Sequence, residues 1–213
     1  MFEETLPKKS KDSLAILGDS GLLRDAYLAG GTALALQIGH RVSLDFDFFT
    51  AHKFNENLFL QKITSFPVDF ELERSEEGTI LGYANKTRFS LFFYSYPLLD
   101  KPKEFLKIAI ASIKDIAPMK IAAISDRGTK RDFIDLYFIV AIEKLYSMEE
   151  ILNFYDEKFS LLHQNKLHIL KSMIYFEDAE SERMPKMLKN VEWKKVKIFF
   201  EKEVKRLSAS KIL

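Results

Sequence analysis

The chain has 213 residues, 47% of them hydrophobic and 30% charged, with a formal net charge of +1. That length and mix suit a globular protein with a sizeable core, and the near-neutral balance carries no global nucleic-acid or membrane signature, so any basic surface must be local. The lack of cysteine excludes disulfides, zinc–thiolate sites and thiol catalysis. No apolar run approaches the roughly 20 residues of a membrane span, and the opening MFEETLPKKSKDSL lacks the basic-then-apolar order of a signal peptide. The expectation is a cytoplasmic protein with no membrane partner.

In chain order, Lys9 to Ser20 predicts a helix broken at Gly21. TALALQIG predicts a short helix ending at Gly39, and SLDFDFFT, rich in phenylalanine and alternating in its first half, predicts a strand. Asn55 to Ser65 reads as a helix. VDFELER, TILGYA and TRFSLFFYSY read as strands separated by the turn-like SEEG and NK, which together predict an antiparallel meander. FLKIAIASI adds one further strand. The character changes near Asp115. DIAPMKIAAISD reads as a helix with Asp115 at its N-cap and Pro118 in its first turn. TKRDFIDLYFIVAIEKLY reads as a second helix, with Thr129 and Asp132 at capping-box spacing. From Ser147 onward the chain is helical and charged, and Val191 to Leu207 carries a basic face (Lys194, Lys195, Lys197, Lys202, Lys205, Arg206) that reads first as a solvated helix surface. The 19 phenylalanines are scattered and read as core. The fold class expected is α+β: a mixed-sheet core over residues 1–114, and a helical region over 115–213 that packs on it and closes a cleft.

The chemistry concentrates in YLAGGTALALQIGHRVSLDFDFFT. On a strand, residues two apart share a face and lie about 7 Å apart. Asp45 and Asp47 therefore project side by side, while Leu44, Phe46 and Phe48 go to the opposite, apolar face. Adjacent carboxylates repel, and Mg²⁺ relieves this by taking one or two carboxylates together with phosphate oxygens. Taken alone, the D-x-D is equally a strand with a solvated polar face. Gly30 and Gly31 precede a predicted helix, where glycine lets backbone approach a ligand, N-terminal amides attract phosphate, and Thr32 adds a hydroxyl. An ordinary tight turn is the plain alternative. A second cluster, Lys120, Arg127, Lys130, Arg131, Asp132 and Asp135, crowds a helix–turn–helix corner. Asp132 and Asp135 share a helical face, and Arg131 and Asp135 are spaced to pair. The bland reading there is a surface ion-pair network; if Lys120 instead serves phosphate charge, its removal is expected to weaken nucleotide binding or turnover while leaving the fold intact, as for a surface lysine.

The first stretch resembles the nucleotidyltransferase superfamily signature, a hydrophobic residue and two small residues followed at a short interval by D-h-D-h on a strand. The wider chain resembles the AbiEii/AbiGii toxin family of nucleotidyltransferases. GGTALALQIGHRVSLDFDFF, with Arg41 and Ser43 just before the aspartates, is similar to its first motif, and MKIAAISDRGTKRDFIDLYFI to its later lysine and R-D-x-x-D motifs. The resemblance implies a Mg²⁺- or Mn²⁺-dependent transfer of a nucleoside monophosphate from a nucleoside triphosphate to an acceptor, RNA such as a tRNA end or a protein. It also implies a toxin role in a toxin–antitoxin or phage-defence system with an antitoxin encoded nearby. Its expected assignments are Asp45 and Asp47 as metal ligands and, with Lys120 and Asp135, as catalytic residues. Gly30, Gly31, Thr32, Arg41, Ser43, Lys120, Arg131 and Asp132 are assigned to the nucleotide.

One departure stands against it. Many nucleotidyltransferases carry a third carboxylate on a later strand, and the matching strand here offers Ser90. Asp69 and Glu71, same-face acids on another strand, are the substitutes to examine. A non-catalytic nucleotide-binding module of the same fold and a metal-dependent phosphohydrolase therefore remain as alternatives. His40, His52, His163 and His168 read as structural or surface residues.

Overall fold

The computed structural model describes residues 1–160 and 165–209. His163 lies outside the described residues. The chain divides into two compact units, Met1–Ser112 and Ile113–Leu213.

The first unit is built on a seven-stranded sheet flanked by helices. Strand β1 (Tyr27–Leu28) lies between β2 (Phe46–Thr50), which runs antiparallel to it, and β7 (Ile108–Ile110), which runs parallel. β2 pairs in parallel with β5 (Thr87–Phe93), and β3 (Phe70–Glu76), β4 (Thr79–Ala84) and β5 form the expected antiparallel meander. β6 (Lys103–Phe105) closes the other edge, so the order is β3-β4-β5-β2-β1-β7-β6. The helices are α1 (Lys8–Ser20), α2 (Gly30–Ile38) and α3 (Glu56–Ile63). α1 and α2 end where expected, at Gly21 and Gly39, each at a φ of +66° that an L side chain rarely adopts. Phe46, Phe48 and Phe89 are fully buried, with Phe48 and Phe89 ring centroids 5.5 Å apart and Phe59 and Phe70 packed on Phe89.

Two local expectations change. FLKIAIASI is not one strand but the second half of the β6–β7 hairpin. Its turn residues, Leu106 and Lys107, both have positive φ, the signature of a two-residue hairpin turn written without the usual Asn or Gly. Gly18 of α1 makes room for that turn, since a Cβ there would sit 1.9 Å from the Leu106 carbonyl oxygen. Leu44 is 53% exposed rather than buried opposite the aspartates, because the strand begins only at Phe46 and the preceding loop does not follow its alternation.

The second unit is helical: α4 (Ile113–Asp126), α5 (Lys130–Tyr137), α6 (Met148–Lys158), α7 (Lys166–Ser172), α8 (Glu177–Ser181) and α9 (Trp193–Ala209). α4 packs against α5, α6 and α7, and α5 against α9. Phe133 anchors the interior, edge-on to Phe200 and Trp193. Thr129 caps α5 as expected, accepting from the Asp132 amide. The long second helix of the sequence reading is instead interrupted by a π-helical turn at Phe138–Ile142. Asp115 is not an N-cap. α4 starts two residues earlier, so Pro118 is its sixth residue, and Asp115 is fully buried in an ion pair with Lys158 of α6 at 2.8 Å. A carboxylate this deep is tolerable only with such a partner. Among the described residues no helix is long and apolar enough to cross a membrane.

Candidate active site

In the first unit the double glycine opens α2, so the amides of Gly30, Gly31 and Thr32 are those a helix leaves without intrahelical partners. Gly30 has φ +64°, and a Cβ on it would stand 2.7 Å from Asp47 Oδ2. The glycine is thus required twice, by its backbone angle and by the carboxylate lying against it. A Cβ on Gly31 would come 2.2 Å from Arg41 Nη2. Arg41 is buried and its Nη1 donates to the Val42 carbonyl at 3.2 Å. The helix N-terminus and this guanidinium bring positive potential to one spot, which favours an anion there.

Asp47 lies on β2, its backbone carbonyl accepting from the Ala29 amide at 2.9 Å. Asp45 immediately precedes the strand rather than lying on it, and is fixed by a side-chain tie. The Thr32 hydroxyl donates to the Asp45 carbonyl oxygen at 2.5 Å, with Ser43 Oγ 2.9 Å from Thr32 Oγ1. Buried Thr32 and Ser43 therefore hold the carboxylate loop to the start of α2, and the Thr32 hydroxyl is engaged within the protein. Phe46 and Phe48 are fully buried while Asp45 and Asp47 are half-buried, the alternation expected of a two-faced strand.

Ser90 stands directly across from Asp47 in the β2–β5 register and donates to its Oδ1 at 2.7 Å. The position where a third carboxylate would flank the pair thus holds a hydroxyl. Asp69 and Glu71 do not replace it: Asp69 precedes the edge strand β3 and Glu71 lies on it, and β4 and β5 separate β3 from β2, about 14 Å at ordinary strand spacing. Among the described residues no group of three His, Asp or Glu side chains is placed to hold a metal ion. The donor set fits Mg²⁺ in its usual protein form, two carboxylates completed by phosphate oxygens.

In the second unit the lysine and the R-D-x-x-D residues meet. Lys120 Nζ lies 2.8 Å from Asp132 Oδ1 and 2.6 Å from Asp135 Oδ2. Asp132 also accepts from the Thr129 hydroxyl at 2.6 Å, and Arg127 Nε lies 3.4 Å away. Burial alone would raise the Asp132 pKa, but Lys120, Arg127 and Thr129 hold it below its ordinary value of 3.8. Lys120 is only 6% exposed, so this is a buried ionic cluster and not a surface network. Asp135 pairs with Lys120, and Arg131 is exposed. His40 is buried, whereas His52 and His168 are exposed. On α9, Lys195 pairs with Glu192, Lys197 with Glu180, and Arg206 with Glu149 and Glu203, so half of its basic face is compensated locally.

The family model for the nucleotidyl transferase AbiEii toxin of type IV toxin–antitoxin systems matches residues 12–89 and 93–206. The uncharacterized protein aq_aa25 of Aquifex aeolicus (strain VF5) is 36% identical over 212 residues, covering 94% of this chain and 96% of that protein. Among solved structures, MenT4, the nucleotidyltransferase toxin Rv2826c of Mycobacterium tuberculosis H37Rv, superposes with a TM-score of 0.55 at 13% identity, covering 95% of this chain and 86% of its own. JHP933 from Helicobacter pylori superposes with a TM-score of 0.54 at 16% identity, covering 96% of each chain. These likenesses confirm the expected α+β nucleotidyltransferase-like fold, and the match across nearly the whole sequence places the chain in the AbiEii nucleotidyl transferase toxin family.

Proposed function

We propose that the protein transfers a nucleoside monophosphate from a nucleoside triphosphate to a hydroxyl-bearing acceptor, RNA such as a tRNA end or a protein, and that it acts as the toxin of a cytoplasmic toxin–antitoxin or phage-defence pair. The observation that carries this reading is the contact of Gly30 with Asp47: an anion-binding helix start and a carboxylate pair share one corner. The amides of Gly30, Gly31 and Thr32, with Arg41, bind the triphosphate. Asp45 and Asp47 would hold Mg²⁺, which when bound supplies neutralisation of charge at the α-phosphate. Ser90 fixes the Asp47 carboxylate through the hydroxyl it donates, and Ser43 and Thr32 fix the loop of Asp45. Lys120, held by Asp132 and Asp135, is assigned to phosphate charge, with Arg131 as a second contact to the nucleotide. The acceptor oxygen bonds to the α-phosphorus as the bond to the bridging oxygen of pyrophosphate breaks. Pyrophosphate leaves, and the hydroxyl proton passes to water.

The hydroxyl at position 90 in place of a third acid supports a second reading, a nucleotide-binding module of the same fold without turnover; a phosphohydrolase using the same aspartates is a third. Incubation with α-labelled nucleoside triphosphates, Mg²⁺ and total RNA separates them. Label on RNA or on protein is the expected result. Free labelled monophosphate instead indicates hydrolysis, and unchanged triphosphate indicates a binding module.

A further inference from the structure

Asp47 presents its two oxygens to two different neighbours. Oδ2 faces the helix start: it is the atom that a Cβ on Gly30 would meet at 2.7 Å, so it lies on the side assigned to the triphosphate. Oδ1 faces β5, where the Ser90 hydroxyl donates to it at 2.7 Å, closer than the Phe46 carbonyl at 3.3 Å. Ser90 is buried, so bulk water does not readily displace this donor. Within the sheet no third acid adjoins the pair. Ser90 is flanked along β5 by Arg88 and Phe92 on the same face and is opposed on β4 by Leu81. On its other side Asp47 borders Ala29, whose amide donates to its backbone carbonyl.

The structure assigns Ser90 the role of fixing how many cations the site takes: Asp45 and Asp47 serve a single Mg²⁺ that arrives with the nucleoside triphosphate, and the Ser90 side of Asp47 takes none. This rests on the transfer reading above. A two-metal site sets its cations about 3.5–4 Å apart, one for the leaving oxygen and one for the attacking oxygen. A carboxylate between them gives one oxygen to each. Here Oδ1 already accepts the Ser90 hydrogen, which turns positive charge toward the place a second cation would occupy. The neutral hydroxyl offers that cation no charge to offset its repulsion by the first. Two carboxylates with phosphate oxygens suffice for one Mg²⁺. The acceptor hydroxyl therefore meets no cation of its own and loses its proton to water.

The test counts metal rather than turnover. The full chain is brought to equilibrium dialysis with saturating Mn²⁺ and an α,β-methylene nucleoside triphosphate, which cannot be transferred, and the bound ion is examined by electron paramagnetic resonance. The parent is expected to hold one Mn²⁺ per bound nucleotide, with the spectrum of an isolated ion. Ser90→Asp supplies a third carboxylate and should hold two, with the broadening of a spin-coupled pair about 3.5–4 Å apart. Ser90→Asn, the size of aspartate but neutral, should stay at one, a difference that a merely structural role of Ser90 would not produce. Two Mn²⁺ per nucleotide in the parent, or one in a Ser90→Asp variant that binds nucleotide, would overturn the proposal and leave the transfer reading in place. No Mn²⁺ held by the parent would overturn both. The parent count alone is decisive if Ser90→Asp fails to fold or to bind nucleotide.

Discussion

Asp45 and Asp47 in the first unit, and Asp132 and Asp135 in the second, are both pairs of acids close in sequence, yet the chain treats them in opposite ways. The second pair is buried around Lys120, with Arg127 and Thr129 adding to Asp132. The first pair is half-buried on a sheet face, set against two glycines that open a helix, and the side-chain partner of Asp47 is a neutral hydroxyl. A compensated buried cluster contributes to holding a fold. Adjacent acids repel, which weakens a fold to the extent that nearby positive charge does not offset it. We propose that the first pair is kept for chemistry, whereas the buried second cluster also serves structure.

The largest effect should come from breaking the buried side of this contrast. Lys120→Met leaves Asp132 and Asp135 buried without their shared cation and should cost about 3–5 kcal/mol, measured by denaturant unfolding. This reverses the expectation of a dispensable surface lysine, because the side chain is buried. Lys158→Met should cost a similar amount by stranding Asp115, and adding Asp115→Leu should restore most of the loss, since a buried pair replaced by apolar groups is often neutral. If the double variant were no better than the single, the ion pair would have a role beyond mutual compensation.

A smaller effect is expected at the junction of glycine and carboxylate. Gly30→Ala places a side chain at φ +64° and against Asp47 Oδ2, which should cost about 1–2 kcal/mol in backbone strain and, by displacing the carboxylate, reduce transfer far more than stability. Activity and melting temperature falling in proportion would show that the glycine serves only the turn. The smallest effect concerns pH. Because the folded Asp132 pKa is held below 3.8, its stabilising contribution is fully present above that value and is lost as pH falls through the lower folded value. Asp132→Asn should therefore flatten the acid limb of the stability curve below about pH 4 and leave its shape at neutral pH unchanged.

Much of this was legible in the sequence where local chemistry and tertiary context agree. The meander, the glycine ends of α1 and α2, the Thr129 cap and the two-faced β2 all follow from period and punctuation. The β6–β7 turn was hidden because Leu106 and Lys107 adopt left-handed angles without the residues that announce them, and the enabling glycine lies far away at Gly18. The Asp115–Lys158 pair was hidden because it joins residues from two helices, and an acid near a helix start reads first as a cap. At the site, the D-x-D, the double glycine and Ser90 in place of a third acid were visible, and the parallel pairing of β2 with β5 adds that the Ser90 hydroxyl donates to the Asp47 carboxylate.

The central claim is that Asp45 and Asp47 are kept for a cation and a nucleotide rather than for stability. Thermal unfolding of the parent and of the Asp45→Asn, Asp47→Asn double variant, with and without Mg²⁺ and nucleoside triphosphate, tests it directly. Without ligand the variant should unfold at the same temperature as the parent or higher. With ligand at 100 times its dissociation constant the parent should gain about 2.7 kcal/mol, and the variant much less. A variant that unfolds several degrees lower without ligand, or that gains as much from it as the parent does, would contradict the claim.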